Sequence, residues 1–174
     1  NLIKAIDLLL NKNGTFIFEE PYLGSMFEKT SYDQIYDEHI YMFSASSIEK
    51  IFKLYNFELI DVLPQVTHGG SLRYIIKRKN NSIKSDRLKV FLENEKINKI
   101  NSLESCMIFK KNCELSKKNI VQKLEKLKSE EKKICGYAAT SKSTTVLNYC
   151  KIGNAVIDYI CDTTPEKIGK FSPG

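Results

Sequence analysis

Tyr36-Asp37-Glu38-His39 places a phenol, two carboxylates and one of only two histidines in four consecutive positions. Imidazole titrates near neutrality when unperturbed, so a histidine flanked by Tyr36 and Glu38 is a candidate proton-transfer group. The second histidine, His68, precedes Gly69-Gly70 in the short loop before the strand at 71–78. A third constellation is Ala138-Ala-Thr-Ser-Lys142-Ser-Thr-Thr145, a small-residue turn leading into an apolar stretch. A strand passing through such a turn into a helix N-terminus is a natural phosphate site, because free N–H groups and the helix dipole point outward. Ser141, Lys142, Ser143 and Thr144 can add direct contacts. The turn lacks the glycines of GxxxxGK[ST] and of GxGxxG. Each feature also has a plain structural reading. His39 can be a histidine that merely bonds Glu38, His68 a turn residue, and the third an ordinary β–α turn. Glu19 can face a cleft or cap or bond a turn, Arg73 can contact a sugar or form a structural ion pair, and Asp162 can bind a ligand or cap a helix.

The elements that must position these residues fall into three sections. Residues 1–80 read helix, strand, loop, helix, strand, strand. The opening helix, 1–10, is amphipathic, with Leu2, Ile3, Ile6, Leu9 and Leu10 on one face. Asn13-Gly14 turns it into a strand at 15–19. Ser44 or Ser46 N-caps a helix running to about Tyr55 that buries Ile48, Ile51, Phe52 and Tyr55. Strands at 57–63 and 71–78 follow, joined by a loop so short that they are antiparallel neighbours. Residues 82–131 contain no Gly or Pro and predict two helices, breaking near Asn98–Ser102, with Leu115, Ile120, Leu124 and Leu127 as an apolar stripe. The last section predicts a βαβ unit: a short buried strand at 133–137, a helix at 146–150 ended by Gly153, and a second buried strand at 155–161 closed by Asp162. Two parallel strands are too few for a sheet of their own, and the front helix and strand ask for earlier strands. Phe171-Ser-Pro-Gly174 reads as a mid-protein turn. The chain is therefore expected to be a piece of a longer protein.

With 174 residues there is room for one full domain or two small ones, and 42% hydrophobic residues exclude a disordered chain. No apolar run approaches the ~20 residues of a membrane span, and the start lacks a signal-peptide pattern. Five cysteines without CxxC spacing argue against a zinc site or a disulfide framework and for reduced packing residues in a cytoplasmic protein. Residues 84–133 hold 14 Lys/Arg against 8 Asp/Glu, which accounts for the whole net charge of +6. Interleaved acids and few aromatics there favour solvated helix faces over a nucleic-acid or membrane patch.

Four blocks, in order, resemble the S-adenosylmethionine-dependent sugar-nucleotide C-methyltransferases. Residues 14–24 (GTFIFEEPYLG) are similar to that family's FVFEVPYL strand. Residues 32–44 (YDQIYDEHIYMFS) are similar to its D-x-I-Y-H-E-H-x-x-Y-F-S segment, and residues 57–74 (FELIDVLPQVTHGGSLRY) to its L-x-D-V…HGGSLR hairpin. Residues 134–174 are similar to its C-terminal GYGA…K…T-L-L-N-Y-C…IDY…D…P-x-K-x-G pattern. The resemblance implies an α/β chain in three parts. Residues 1–81 would be the C-terminal half of a Rossmann-like methyltransferase domain, closed by the antiparallel hairpin. Residues 82–131 would be connecting helices, and 132–174 a partial second Rossmann-like βαβ domain. The family's zinc-binding segment and adenosylmethionine glycine loop lie ahead of this region. The resemblance thus implies S-adenosylmethionine as cofactor, held chiefly outside these 174 residues, and zinc only in that preceding segment.

The chemistry implied is methylation of a carbon next to a ketone on a nucleotide-linked deoxysugar. His39 is the implied base, matching the final His of Y-H-E-H, with Glu38 orienting it and Tyr36 donating to the sugar or the enolate. His68, Gly69 and Gly70, with Ser141, Lys142 and Thr144, are the implied substrate contacts, and no nucleic-acid or membrane partner is implied. Asp37 replaces the first His of the pair, and Ala138 and Ser143 stand where the commoner pattern has glycines. Alternatives are a catalytically silent nucleotide-sugar binding module, a related O-methyltransferase in which the same histidine deprotonates a hydroxyl, or a helix-mediated interaction domain.

Overall fold

A computed structural model describes residues 2–80 and 83–173. Asn1 at the start of the expected first helix, residues 81–82 at the expected first domain boundary, and Gly174 of the terminal turn lie outside the described residues. The chain is mixed α/β and divides into two compact units, one of Asn1–Ser31 with Tyr41–Met107 and one of Tyr32–Ile40 with Ile108–Gly174.

In the first unit, α1 (Leu2–Leu9) leads to β1 (Thr15–Pro21), α2 (Leu23–Lys29), α3 (Ala45–Lys53), β2 (Phe57–Gln65), β3 (Ser71–Arg78) and α4 (Asp86–Ile97). The sheet order is β1-β3-β2, antiparallel throughout, with Phe18 opposite Tyr74 and Val62 opposite Tyr74 on its other side. Pro21, which cannot donate to a ladder, sits on edge strand β1. Alternation along the central strand turns Leu72, Tyr74 and Ile76 into the core. Along β2 the phase slips: Leu59 and Val62, three apart, are both fully buried because the register shifts between Leu59 and Asp61. The phenylalanines of β1 stack on this core, with Phe18 4.9 Å from Tyr74.

Helix α3 covers the core with Ala45, Ile48 and Phe52. Of the side chains expected to be buried there, Ile51 is only half-buried and Tyr55 is exposed, because the helix ends at Lys53 before a third turn forms. Ser44 is its N-cap, in a reciprocal box with Ser47. Buried Glu95 of α4 accepts from Ala45 N at 2.6 Å and Ser46 N at 2.9 Å, so a carboxylate rests on the positive end of α3. In α1 only Ile6 is buried while Leu2 and Leu9 are exposed, so the apolar face is narrower than its pattern predicts. Helix α2 occupies part of what reads as loop.

The second unit contains most of α5 (Leu103–Ser129), then β4 (Cys135–Tyr137), α6 (Ser141–Cys150) and β5 (Tyr159–Cys161). The break between α4 and α5 falls where expected. The expected stripe of α5 is half-buried at best, and Leu115 is exposed. Strands β4 and β5 pair in parallel with Cys135 opposite Tyr159, forming the expected βαβ unit. Both were expected to be buried, yet Tyr137 and Tyr159 are exposed: a two-stranded sheet leaves much of its surface uncovered. Helix α6 starts five residues earlier than expected, capped by Thr140 boxed with Ser143, and ends at Lys151 in the left-handed region instead of at Gly153. Cys113 and Cys150 are buried packing thiols, whereas Cys106, Cys135 and Cys161 are exposed.

Candidate functional site

The Tyr36–His39 segment begins at a 3-10 turn, Tyr32–Gln34. Short-range backbone bonds coil the residues after it: Tyr36 N donates to Gln34 O at 3.2 Å and His39 N to Tyr36 O at 3.1 Å. This folds the segment back so that the rings of Tyr36 and His39 meet edge to face, 5.3 Å between centroids at 72°. His39 is half-buried and its Nε2 is shielded from solvent. The Tyr36 phenol is pushed above its ordinary range, first by burial, then by the charge of Glu38 and the hydrogen bond to it, with Asp33 and Asp37 adding to the effect. Tyr36 therefore touches both partners: its ring packs on the imidazole and its hydroxyl serves the Glu38 carboxylate. The structure brings Tyr36, Glu38 and His39 into one cluster.

Segment 32–40 belongs to the second unit. Asp33 Oδ2 lies 4.0 Å from Lys142 Nζ, and Thr145 Oγ1 is 3.3 Å from Ile35 O. Ser141, Lys142 and Thr144 form the first turn of α6 instead of the turn before it. That turn is partly self-satisfied: Ser143 N donates to Thr140 Oγ1 at 3.2 Å, and Ser143 Oγ donates to Thr140 O at 2.7 Å. Asp162 is not a helix cap, a place that Thr140 takes for α6; it accepts from Ala139 N at 2.7 Å and Thr164 N at 2.8 Å, with Lys167 Nζ at 3.2 Å. These bonds, those from Thr164 first, hold its carboxyl far below the usual range.

His68, Gly69 and Gly70 lie in the first unit, on the turn between β2 and β3. His68 is exposed and in the left-handed region at φ 52°. Thr67 Oγ1 donates to Glu19 Oε1 at 2.5 Å, Arg73 Nη2 donates to Glu19 Oε2 at 3.0 Å, and Lys29 Nζ donates to Gly69 O. Arg73 forms an ion pair with Glu19, which also bonds the turn, and the Thr67 hydroxyl is the main influence lowering the Glu19 carboxyl. Gly70 has φ 135°, and a Cβ there would sit 2.5 Å from Ser25 Oγ. The close approach that Gly70 permits is that of α2.

Sequence reasoning missed the Glu95 cluster. Asn101 joins it, accepting from Ser44 Oγ at 2.9 Å and donating to Ser46 Oγ at 2.7 Å. Burial pushes the Tyr22 phenol up, and the Glu95 charge and a hydrogen bond to Glu95 add to this. Nothing in the local sequence marks an acid on a Lys- and Glu-rich helix as buried.

Comparison with known proteins matches the chain in two stretches. A family described as "Methyltransferase domain" matches residues 1–62, and one described as "C-methyltransferase C-terminal domain" matches residues 66–174. The curated relative C-methyltransferase NovU of Streptomyces niveus is 26% identical over 175 residues, which covers 99% of this chain. The chain spans 41% of that relative's length. Among the described residues no helix is long and apolar enough to cross a membrane. The match over residues 66–174 places this chain in the C-methyltransferase C-terminal domain family.

Proposed function

We propose that this chain carries the acceptor-deprotonating part of an S-adenosylmethionine-dependent C-methyltransferase acting on a nucleotide-linked ketosugar. The observation that carries this reading is the Tyr36–Glu38–His39 cluster, in which one tyrosine packs on the imidazole and serves the neighbouring carboxylate. A ketone acidifies the C–H beside it, and positioning and stabilisation of the enolate bring that proton within reach of an imidazole. His39 takes that proton on a ring nitrogen and becomes imidazolium, and the electron pair moves into the enolate. Glu38 supplies a negative charge next to His39 in the chain, held in place by the Tyr36 hydroxyl. A general base placed in this way contributes about 10²–10⁴-fold.

When bound, S-adenosylmethionine supplies an electrophilic methyl group. The residues present do not build its cradle: no GxGxxG-type loop occurs in the sequence, and the space at positive-φ Gly70 is filled by Ser25. No step is assigned to the donor. Within the second unit, substrate contacts are assigned to Ser141, Lys142 and Thr144, where a phosphate has to share Lys142 with Asp33.

The test is methyl transfer to a 4-ketosugar nucleotide by the protein that carries this chain, followed by mass spectrometry. His39→Gln is expected to lower turnover by about 10²–10⁴-fold while sugar-nucleotide binding survives. Unchanged turnover would remove His39 from the mechanism.

A further inference from the structure

Residues 32–40 interrupt the first unit in sequence but belong in space with the second. The contacts responsible lie along one helix, α6, and its neighbour α5. At the entry to the segment, Tyr32 Oη is 3.5 Å from Ser116 Oγ and 3.7 Å from Cys150 Sγ. Its ring lies 5.1 Å from that of Tyr149. Tyr149 is itself fixed, its hydroxyl donating to Glu114 Oε1 at 2.6 Å and Lys117 Nζ lying 4.8 Å from its ring centre. One residue on, Asp33 faces Lys142. Gln34 is buried. At Ile35 the carbonyl is met by the Thr145 hydroxyl, whose single proton is shared with Ser141 O at 3.2 Å. The next residue is Tyr36, which packs on His39.

We infer that Thr145 and Tyr32 are positioning residues for the base: α6 holds the backbone at Ile35 and thereby sets where Tyr36 presents His39. This inference rests on the reading of His39 as the base. It assigns α6 a mechanical role toward the segment, distinct from any phosphate contact at its first turn. The partners of the Thr145 hydroxyl are the carbonyls of Ile35 and Ser141. Thr145 acts through the first of these, and a misplacement of a catalytic group by about 1 Å is enough to cost up to about 10²-fold in rate.

The experiment compares Thr145→Val, which keeps the shape and removes the hydroxyl, with Thr145→Ser, which keeps the hydroxyl, and with His39→Gln, all in the protein that carries this chain. Thr145→Val is expected to lower kcat about tenfold with the dissociation constant for S-adenosylmethionine unchanged, and Thr145→Ser to restore it. Amide hydrogen exchange supplies a readout independent of turnover: Thr145→Val should speed exchange at 35–39 and leave β2 and β3 unchanged. If Thr145→Val matches the wild type in kcat and exchange while His39→Gln abolishes turnover, the positioning role is wrong and the base assignment stands. If serine fails to restore what valine loses, the hydroxyl is not the cause and the inference is likewise overturned. If His39→Gln turns over normally, the base assignment fails and takes this inference with it.

Discussion

Each of the two units is held together in its own way. In the first, Phe57, Leu59, Val62, Leu72, Tyr74, Ile76, Ile48, Phe52 and Leu88 form one continuous apolar cluster around a three-stranded sheet. In the second, only Gln34, Cys113, Cys150 and Ile152 are buried among the described residues, and the sheet has two short strands. What fixes the second unit is mainly polar: Asp162 on Ala139 and Thr164, Asp158 on Lys128 and Ile134, Tyr149 on Glu114. The proposed base lies in this second unit, so hydrophobic burial supplies the scaffold in one region while directional contacts hold the proposed base in the other.

The contrast breaks most sharply under truncation of apolar side chains. Leu59→Ala should cost about 2–5 kcal/mol, because a fully buried leucine loses its transfer energy and leaves a cavity. Tyr137→Ala, at an exposed position of β4, should stay within about 0.5 kcal/mol. Urea titration followed by circular dichroism measures both, and equal losses would erase the distinction between the units.

A pair of glycines sharpens it further. Gly70→Ala should destabilise by about 1–3 kcal/mol, since φ 135° strains any side chain and the new methyl meets Ser25. Adding Ser25→Gly should recover the part due to contact and leave the part due to backbone strain. Gly153→Ala in the second unit meets nothing within 4 Å and should be neutral or stabilise by about 0.4–1 kcal/mol. Thermal melts of these variants beside the wild type decide this.

Acid supplies the smallest effect and the most specific to the second unit. The folded-state pKa of Asp162 is depressed, so its contribution is present above the unfolded value of about 3.9 and is lost as pH falls toward the folded value. Asp162→Asn should therefore lower stability at pH 7 and flatten the decline of the second unit below pH ~4. Hydrogen exchange at Ala139 and Thr164 across that range reports it.

Much of this was legible in the chain. The ends of β3 and the break at 98–102 follow from alternation and from turn residues. Helix α2 was not legible: Leu23–Lys29 is seven residues with a glycine and no side-chain cap, and it is held by its packing against the Gly70 turn. The early start of α6 was obscured because Ser and Thr are weak helix formers, whereas the Thr140–Ser143 box that starts it needs that composition. Its stop at Lys151 uses a left-handed conformation at a non-glycine residue, which leaves no mark in sequence. The cluster of Tyr36, Glu38 and His39 was readable because its members are adjacent. Its attachment to α6 was not, since Ile35 and Thr145 lie 110 residues apart.

The central claim is that His39 removes a proton from carbon, and this half-reaction needs no methyl donor. The direct measurement is incubation of the protein with a 4-ketosugar nucleotide in D2O, without S-adenosylmethionine, and mass spectrometry of the recovered sugar. The account predicts deuterium at the carbon beside the ketone with the wild type, and loss of that incorporation with His39→Gln. Equal incorporation by the two proteins would contradict it.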